Sequence, residues 1–162
     1  MTKRMSKASA LTGFTLVELM VTLVVATILL TIAIPAYMTQ IRESRRTEAK
    51  TALLDLAGRE ETLYSTQNLY SLVPSVLGYT GNQFPLQVGN DYYTVNVQVP
   101  NPNAVQNPNG APTPSFLISA TPVAGSSQAS DGPCQYFSVD QLGNHVATAL
   151  GGGDNTAYCW GS

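Results

Sequence analysis

The hydrophobic positions are densest near the N-terminus, where an almost unbroken apolar run begins at Phe14. Over residues 19–34 the only polar side chains are those of Thr22, Thr27 and Thr31. A threonine hydroxyl can bond to the backbone carbonyl one turn earlier, so these positions tolerate lipid. The run provides roughly 20 residues, or about 30 Å of helix, which matches the hydrocarbon thickness of a bilayer. We therefore predict a helix that can span a membrane.

One acidic residue, Glu18, lies only a few residues inside this run. An ionised carboxylate at membrane depth costs a few kcal/mol, so it needs either a partner or a route to water. One possibility is that Glu18 bends toward the interface from near the helix end. The other is that it meets a positive charge that the isolated span does not contain.

Apolar positions continue at helical spacing beyond Pro35, which we expect to kink the helix or loosen it for about a turn. They are Ile41, Ala49, Ala52, Leu53, Leu56, Leu63 and Tyr64. Charged residues are assigned largely to the other side: Arg45, Arg46, Lys50, Asp55, Arg59 and Glu61. This pattern predicts an amphipathic helix that lays one face on a sheet and exposes the other.

The remaining chain changes from helical to alternating spacing. Residues 66–91 are dense in Gly, Pro and Asn, so we predict a long loop with small local turns there. The segment "DYYTVNVQV" alternates, with Tyr93, Val95, Val97 and Val99 on one face, and is the clearest strand. A Pro/Asn-rich connection follows, then the strands "SFLISAT" and "QYFSVD", a turn at 141–144 and a short strand near His145. We expect an antiparallel meander packed on the helix, which is an α+β fold.

Charge is distributed unevenly along the chain. Lys3, Arg4 and Lys7 precede the apolar run, and no Lys or Arg follows Arg59, although the net charge is only -2. Basic residues flank the run on both sides, so their count does not decide its orientation. The C-terminal region carries acids alone and therefore offers no electrostatic surface for nucleic acid.

Two cysteines, Cys134 and Cys159, are the only ones in the chain. An even pair in a chain with an export-type N-terminus predicts one disulfide in an oxidising compartment, although two reduced buried thiols remain an alternative. A disulfide would place the C-terminal region outside the cytoplasm. It would also bracket the glycine-rich stretch "LGGGDNTAY", which we expect to be floppy and to form an exposed surface.

Residues with obvious catalytic or metal-binding potential are sparse. His145 is the only histidine, so the sequence does not favour a metal site with several histidine ligands or a serine–histidine catalytic pair. We expect His145 to lie on the surface or in a hairpin. Asp154 and Asn155 beside three glycines supply too few oxygens for a calcium loop. We therefore predict no catalytic residue, no metal site and no cofactor.

The N-terminal residues resemble the type IV pilin family. The resemblance rests on a basic leader ending in Gly13, then "FTLVEL", the apolar run and "IPAY". The stretches "TPVAGSSQASDGPCQYFSVDQLG" and "YCW" resemble the PilE-type minor pilins. The family implies cleavage between Gly13 and Phe14 by a prepilin peptidase, and N-methylation of Phe14. The alternative, a secretory signal cut near "AIPAY", would need an apolar region longer than the usual range of about 7–15 residues.

The resemblance also implies how the chain is divided. Residues 1–13 would be the cleaved leader, 14–36 the membrane and filament-core helix, 37–65 the amphipathic half of the helix, and 66–162 the periplasmic or extracellular β-sheet region with its disulfide-bounded C-terminal part. Many pilins carry glycine midway along the span, where this chain has Thr27.

For Glu18 the resemblance implies an assembly role. Its carboxylate would meet the Phe14 amine of a neighbouring subunit, so that Glu18 and Thr15 set the register between subunits. The implied partners are major and minor pilin subunits, the peptidase and methylase, and the inner-membrane assembly platform. The chain would reside in the inner membrane and then in a surface pilus supporting assembly, adhesion or twitching motility. Two rivals stay open: a pseudopilin of a type II secretion system, and a membrane-anchored periplasmic binding protein or enzyme.

Overall fold

The computed structural model describes residues 13–99 and 115–161. The leader with Lys3, Arg4 and Lys7, and the Pro/Asn-rich connection, lie outside the described residues. The elements are α1 Leu16–Gln67, β1 Leu86–Val88, β2 Tyr93–Gln98, β3 Leu117–Pro122, β4 Tyr136–Asp140, β5 His145–Thr148 and α2 Thr156–Trp160. Two short 3-10 helices cover Pro74–Leu77 and Ser127–Ser130.

The five strands form one antiparallel sheet in the order β1-β2-β3-β4-β5, which confirms the predicted meander. In β2 the residues Tyr93, Val95 and Val97 are buried, as the alternation predicted. Strand β5 begins at His145, and the turn before it is held by Asp140, whose carboxylate accepts hydrogen bonds from the backbone of Leu142 and Asn144.

The prediction of a long loop with small local turns over residues 66–91 is wrong in part, because the segment also contains a strand. The 3-10 helix Pro74–Leu77 and strand β1 lie within it. Strand β1 has three residues, too few to show an alternating pattern, and it is ordered by pairing with β2 in the register Leu86↔Val95. The expectation of a floppy stretch before Cys159 is also wrong, because that stretch contains a bridge between Thr148 and Asp154 and the helix α2.

The core lies between the sheet and one face of α1. Ala49, Leu53, Leu56 and Leu63 are buried there, which confirms the amphipathic face. The predicted separation of charge is wrong at Arg46, which is buried on the same face, and Glu60 is buried there as well. Spacings of three and four residues along 46, 49, 53, 56, 60 and 63 place all six positions on one side of the helix.

Contacts divide the chain into two units, one up to Thr39 and one from Gln40 onward. The first contains the apolar part of α1, and the second contains the rest of α1 and the whole sheet, which we call the head.

Candidate functional site

The first candidate site is the apolar part of α1, which is exposed along its whole length. An 18-residue window in this part has a mean hydropathy of 2.5, and none of the window is buried. Phe14 at its start is 83% exposed. Soluble proteins rarely leave so long an apolar surface uncovered, so the segment requires lipid or other protein around it.

Thr15 and Glu18 lie at the N-terminal end of helix α1. Helix α1 begins at Leu16, and the hydroxyl oxygen of Thr15 accepts a hydrogen bond from the Glu18 backbone N–H at 3.2 Å. Thr15 is therefore the N-cap, and Glu18 occupies the third helical position, the two polar positions of a capping box. Gly13 and Phe14 come directly before the cap, with both Gly13 and Phe14 exposed. In the described residues the Glu18 carboxylate has no ion-pair partner.

The threonines inside the segment bond as predicted. The hydroxyls of Thr22, Thr27 and Thr31 donate to backbone carbonyls three or four residues earlier, at 2.7–2.9 Å. Their polar groups are thus satisfied within the helix. Helix α1 continues through Pro35, whose carbonyl accepts a hydrogen bond from the Thr39 hydroxyl. Whether Pro35 kinks the helix stays a prediction.

The second candidate site is the surface that surrounds the disulfide. Cys134 and Cys159 are joined, 25 residues apart in the chain. Lys50 donates from its ammonium to the Cys159 carbonyl at 3.2 Å and thereby ties α2 to α1. Burial lowers the pKa of Lys50, and the nearby Arg46 charge adds to that shift. His145 is exposed, as predicted, and its ring stacks on Trp160 with 4.2 Å between centroids.

A buried ion pair lies beneath this surface. Arg46 donates from Nε and Nη2 to the two carboxylate oxygens of Asp131, at 2.7 and 2.6 Å. Gln128 also donates to Asp131, at 2.9 Å, and to the Tyr93 hydroxyl oxygen. The hydrogen bond to Asp131 raises the pKa of Arg46 well above its usual range, against the opposing effect of burial. The pair fixes the segment before Cys134 against α1.

Glu60 is a second buried charge that sequence reasoning missed. It is fully buried, and Oε2 accepts a hydrogen bond from the Ser71 backbone N–H at 3.0 Å. Its Oε1 has no partner among the described residues. Burial raises the pKa of Glu60 to about 7. Its burial could have been predicted from helical spacing, because Glu60 lies four residues after Leu56 and three before Leu63 on the buried face of α1.

Asp154 and Asn155 have local structural partners. The Asp154 carboxylate accepts hydrogen bonds from the Thr156 backbone and hydroxyl, and the Asn155 side chain donates to the Pro133 carbonyl. Over residues 13–99 and 115–161 no three His, Cys, Asp or Glu residues come together in a group that could hold a metal ion. These two residues shape the start of α2.

Two family models match the chain. The model described as "Type IV minor pilin ComP, DNA uptake sequence receptor" matches residues 35–138. The prokaryotic N-terminal methylation motif matches residues 12–34.

Individual proteins are similar over part of their length. The chain is 34% identical over 79 residues to the type IV major pilin protein PilA of Myxococcus xanthus strain DK1622, a match covering 47% of this chain and 36% of that relative. A type IV pilin structure from Shewanella oneidensis is 23% identical, with a TM-score of 0.42, and the match covers 64% of this chain and 89% of the other.

Proposed function

The chain belongs to the ComP family of type IV minor pilins, and from this membership we propose that it packs into a type IV pilus through residues 14–36. The observation that carries the proposal is the exposed apolar part of α1, which has Glu18 in its first turn. The same surface can be covered by lipid before assembly and by neighbouring subunits afterwards. The chain would thus be an inner-membrane protein first and a filament subunit later.

Processing would expose the group that Glu18 needs. The methylation-motif match over residues 12–34 supports cleavage between Gly13 and Phe14 by a prepilin peptidase and N-methylation of Phe14. Cleavage creates an amine on Phe14, and a neighbouring subunit's Glu18 can pair with it in the filament core. Such a pair contributes little net stability, but an arrangement that leaves either charge unpaired is strongly disfavoured. Glu18 and Thr15 would therefore set the register between subunits.

The proposed work of the chain is packing, without turnover. Pilins are a structural family. The buried Arg46 and Asp131 of the head are paired with each other, and Glu60 accepts a hydrogen bond from the Ser71 backbone N–H, so these groups hold the fold together. The disulfide-bounded surface of the head would be the part presented outside the filament core, where adhesion or motility roles would arise.

Mass spectrometry of sheared surface filaments tests the proposal. We expect peptides from this chain in the filament fraction and an N-terminal peptide that starts with methylated Phe14. A chain that starts at Met1 or Tyr37 would contradict the pilin mechanism. Absence from filaments, together with co-purification with a secretion system, would support the pseudopilin rival instead.

A second candidate function is DNA binding, which the description of the matching family names. Charge argues against it in this chain. No Lys or Arg follows Arg59, and the guanidinium groups of Arg46 and Arg59 are already paired with Asp131 and Asp55. The exposed apolar part of α1 favours filament packing as the primary function.

A further inference from the structure

The basic residues of the head are concentrated in the first turns of α1 after the apolar segment. Of the five Lys and Arg residues in the head, four lie between residues 42 and 50, and only Arg59 lies farther along. Arg42 comes eight residues after Ile34, which is about 12 Å of helix. Side chains of a helix lean toward its N-terminus, so an arginine at this position extends back toward the end of the apolar segment. Arginines in such a position can reach the headgroups that border the hydrocarbon of a bilayer.

Arg42 has no acidic partner among the described residues. It is partly exposed, and it takes part in neither of the two ion pairs of the described chain. Its Nε is buried without a hydrogen-bond partner, so solvent reaches other atoms of the side chain. A guanidinium carries five N–H donors in a planar fork. Arg42 can therefore give its remaining donors to an anion that approaches from solvent.

Arg45 is held in place by neutral groups. Its Nη1 donates to the Ser127 hydroxyl oxygen at 2.6 Å, and its Cζ lies 3.7 Å from the centre of the Tyr92 ring. Neither contact neutralises its charge. Arg45 follows Arg42 by three residues, so the two are neighbours on one side of α1. Two guanidinium groups, one of them fixed by stacking, thus lie together without a counter-charge in the described residues.

The acids of this stretch do not neutralise the two arginines. Glu43 and Glu48 line an open groove with Asn90, and neither forms an ion pair with either arginine. The other two basic residues of the stretch already have partners within the head. The two arginines are therefore the basic groups of this stretch that can receive an external anion.

We propose that Arg42 and Arg45 bind the phosphate of an anionic phospholipid on the side of the membrane that faces the head. The proposal rests on the proposed function, because it describes the chain in the inner membrane before assembly. The apolar segment of α1 brings these arginines next to a surface dense in headgroups, which favours a lipid over a free phosphate. A guanidinium also matches two phosphate oxygens at once. The contact would fix the depth of α1 in the bilayer and would break when the chain enters a filament.

Nitrogen-15 NMR of the arginine side chains tests the contact in the full chain, solubilised in an uncharged detergent. Stepwise addition of phosphatidylglycerol should shift the Nε–Hε signals of Arg42 and Arg45 until they saturate, and should leave the signal of Arg59 unchanged. Equal amounts of phosphatidylcholine, which is neutral overall, or of soluble glycerol phosphate should give no saturable shift. Arg42→Lys and Arg45→Lys identify the signals, because each variant lacks one of them.

Substitution tests the role of the charge. Arg42→Gln should weaken the response of the Arg45 signal to phosphatidylglycerol by about fivefold, whereas Arg42→Lys keeps the charge and should weaken it by about twofold or less. Arg59→Gln is the matched control, because it removes the same charge about 25 Å farther along α1 and should leave the response unchanged.

The outcomes separate this contact from the proposed function. No shift at Arg42 and Arg45, or shifts of equal size at Arg59, would overturn the lipid contact. An equal response to glycerol phosphate would overturn the choice of a lipid as its source. The presence of the wild-type chain in sheared filaments is measured separately, and its absence there would overturn the proposed function instead.

Discussion

At the scale of single residues, Glu18 has two distinct physical tasks. As the third residue of α1 it donates its backbone N–H to the Thr15 hydroxyl oxygen at 3.2 Å and so helps to cap the helix. As a carboxylate in an apolar segment it also carries a charge that requires a partner. A glutamine could perform the first task but not the second, so the two tasks can be separated by substitution.

We expect Glu18→Gln to be inserted and processed normally, since removing a charge makes membrane insertion easier. It should then accumulate in the inner membrane and be nearly absent from sheared filaments, because the Phe14 amine would be buried without its counter-charge. Immunoblots of membrane and filament fractions measure this. Thr22→Ala is the control, because it removes a hydroxyl that bonds only within the helix and keeps the Glu18 charge, so it should still assemble. Wild-type incorporation of the Gln variant would refute charge pairing.

Glu60 makes the stability of the head depend on pH. Its folded-state pKa, about 7, exceeds the ordinary value of 4.5, so between those values the folded state binds more protons than the unfolded state. The free energy of unfolding therefore falls as the pH rises from about 4.5 through about 7, by about 3 kcal/mol in all. We expect Glu60→Gln to remove most of this dependence, measured by urea unfolding of the detergent-solubilised chain at pH 5 and pH 8.

Glu61 provides the control for Glu60. It is the adjacent residue, it is exposed, and its carboxylate accepts a hydrogen bond from the Tyr70 hydroxyl. Glu61→Gln should keep the wild-type pH dependence. If Glu60→Gln and wild type lose the same stability between pH 5 and pH 8, the buried carboxylate is not the cause.

Arg46 and Glu60 also show what residue-level patterns cannot predict. Helical spacing places both residues on the buried face of α1. A charged side chain normally prefers solvent, however, and it is buried only where a partner compensates for the lost hydration. The partner of Arg46 is Asp131, 85 residues away. A sequence contains no local sign of such a pair, whereas the burial of Ala49, Leu53 and Leu56 follows directly from their polarity and spacing.

At the scale of elements, the strands that the sequence predicts have four to six residues, whereas the missed strand β1 has three. Strand β2 has six residues, of which Tyr93, Val95 and Val97 are buried, and this alternation was sufficient to predict the strand. Strand β1 has three residues at the sheet edge and depends on its neighbour for order. Helix α2 has five residues, and its first turn depends on Asp154 and Thr156 rather than on any periodic pattern.

The Arg46–Asp131 pair connects α1 to the segment that precedes the disulfide. We expect Arg46→Met or Asp131→Leu alone to cost about 3–5 kcal/mol in the free energy of unfolding, because each leaves one buried charge unpaired. The double variant should cost less than the sum, as both charges are removed together. Urea unfolding of the detergent-solubilised chain measures this.

The exposed pair of Arg59 and Asp55 is the matched control for the buried pair. It also joins a guanidinium to a carboxylate at 2.8 Å, but both side chains remain more than two-fifths exposed. Removing either partner should lower the free energy of unfolding far less than removing a partner of the buried pair, because solvent screens an exposed ion pair. Equal losses from the buried and exposed pairs would mean that Arg46 is better solvated than the structure indicates.

At the scale of the whole molecule, charge separates the chain into regions with different partners. Three of its eight Lys and Arg residues precede Gly13, and the other five lie on α1 between residues 42 and 59. All ten Asp and Glu residues follow Gly13. After removal of the leader the chain would therefore carry twice as many acids as bases. Such a chain repels polyanions and can be steered to basic surfaces.

This balance yields the last prediction, which concerns DNA. Non-specific protein–DNA binding arises from cations that neutralise phosphates, with dissociation constants of about 10⁻⁴–10⁻⁶ M at physiological salt. We expect the processed chain in detergent micelles to show no saturable binding to a short duplex at about 0.15 M salt, measured by fluorescence anisotropy up to concentrations in that range. A variant with Asp91→Lys and Gln87→Lys, both exposed positions, is the positive control and should gain binding that weakens with added salt. Micromolar binding by the wild-type chain, stronger for one DNA sequence than for others, would contradict the prediction and would favour the DNA-binding function over packing alone.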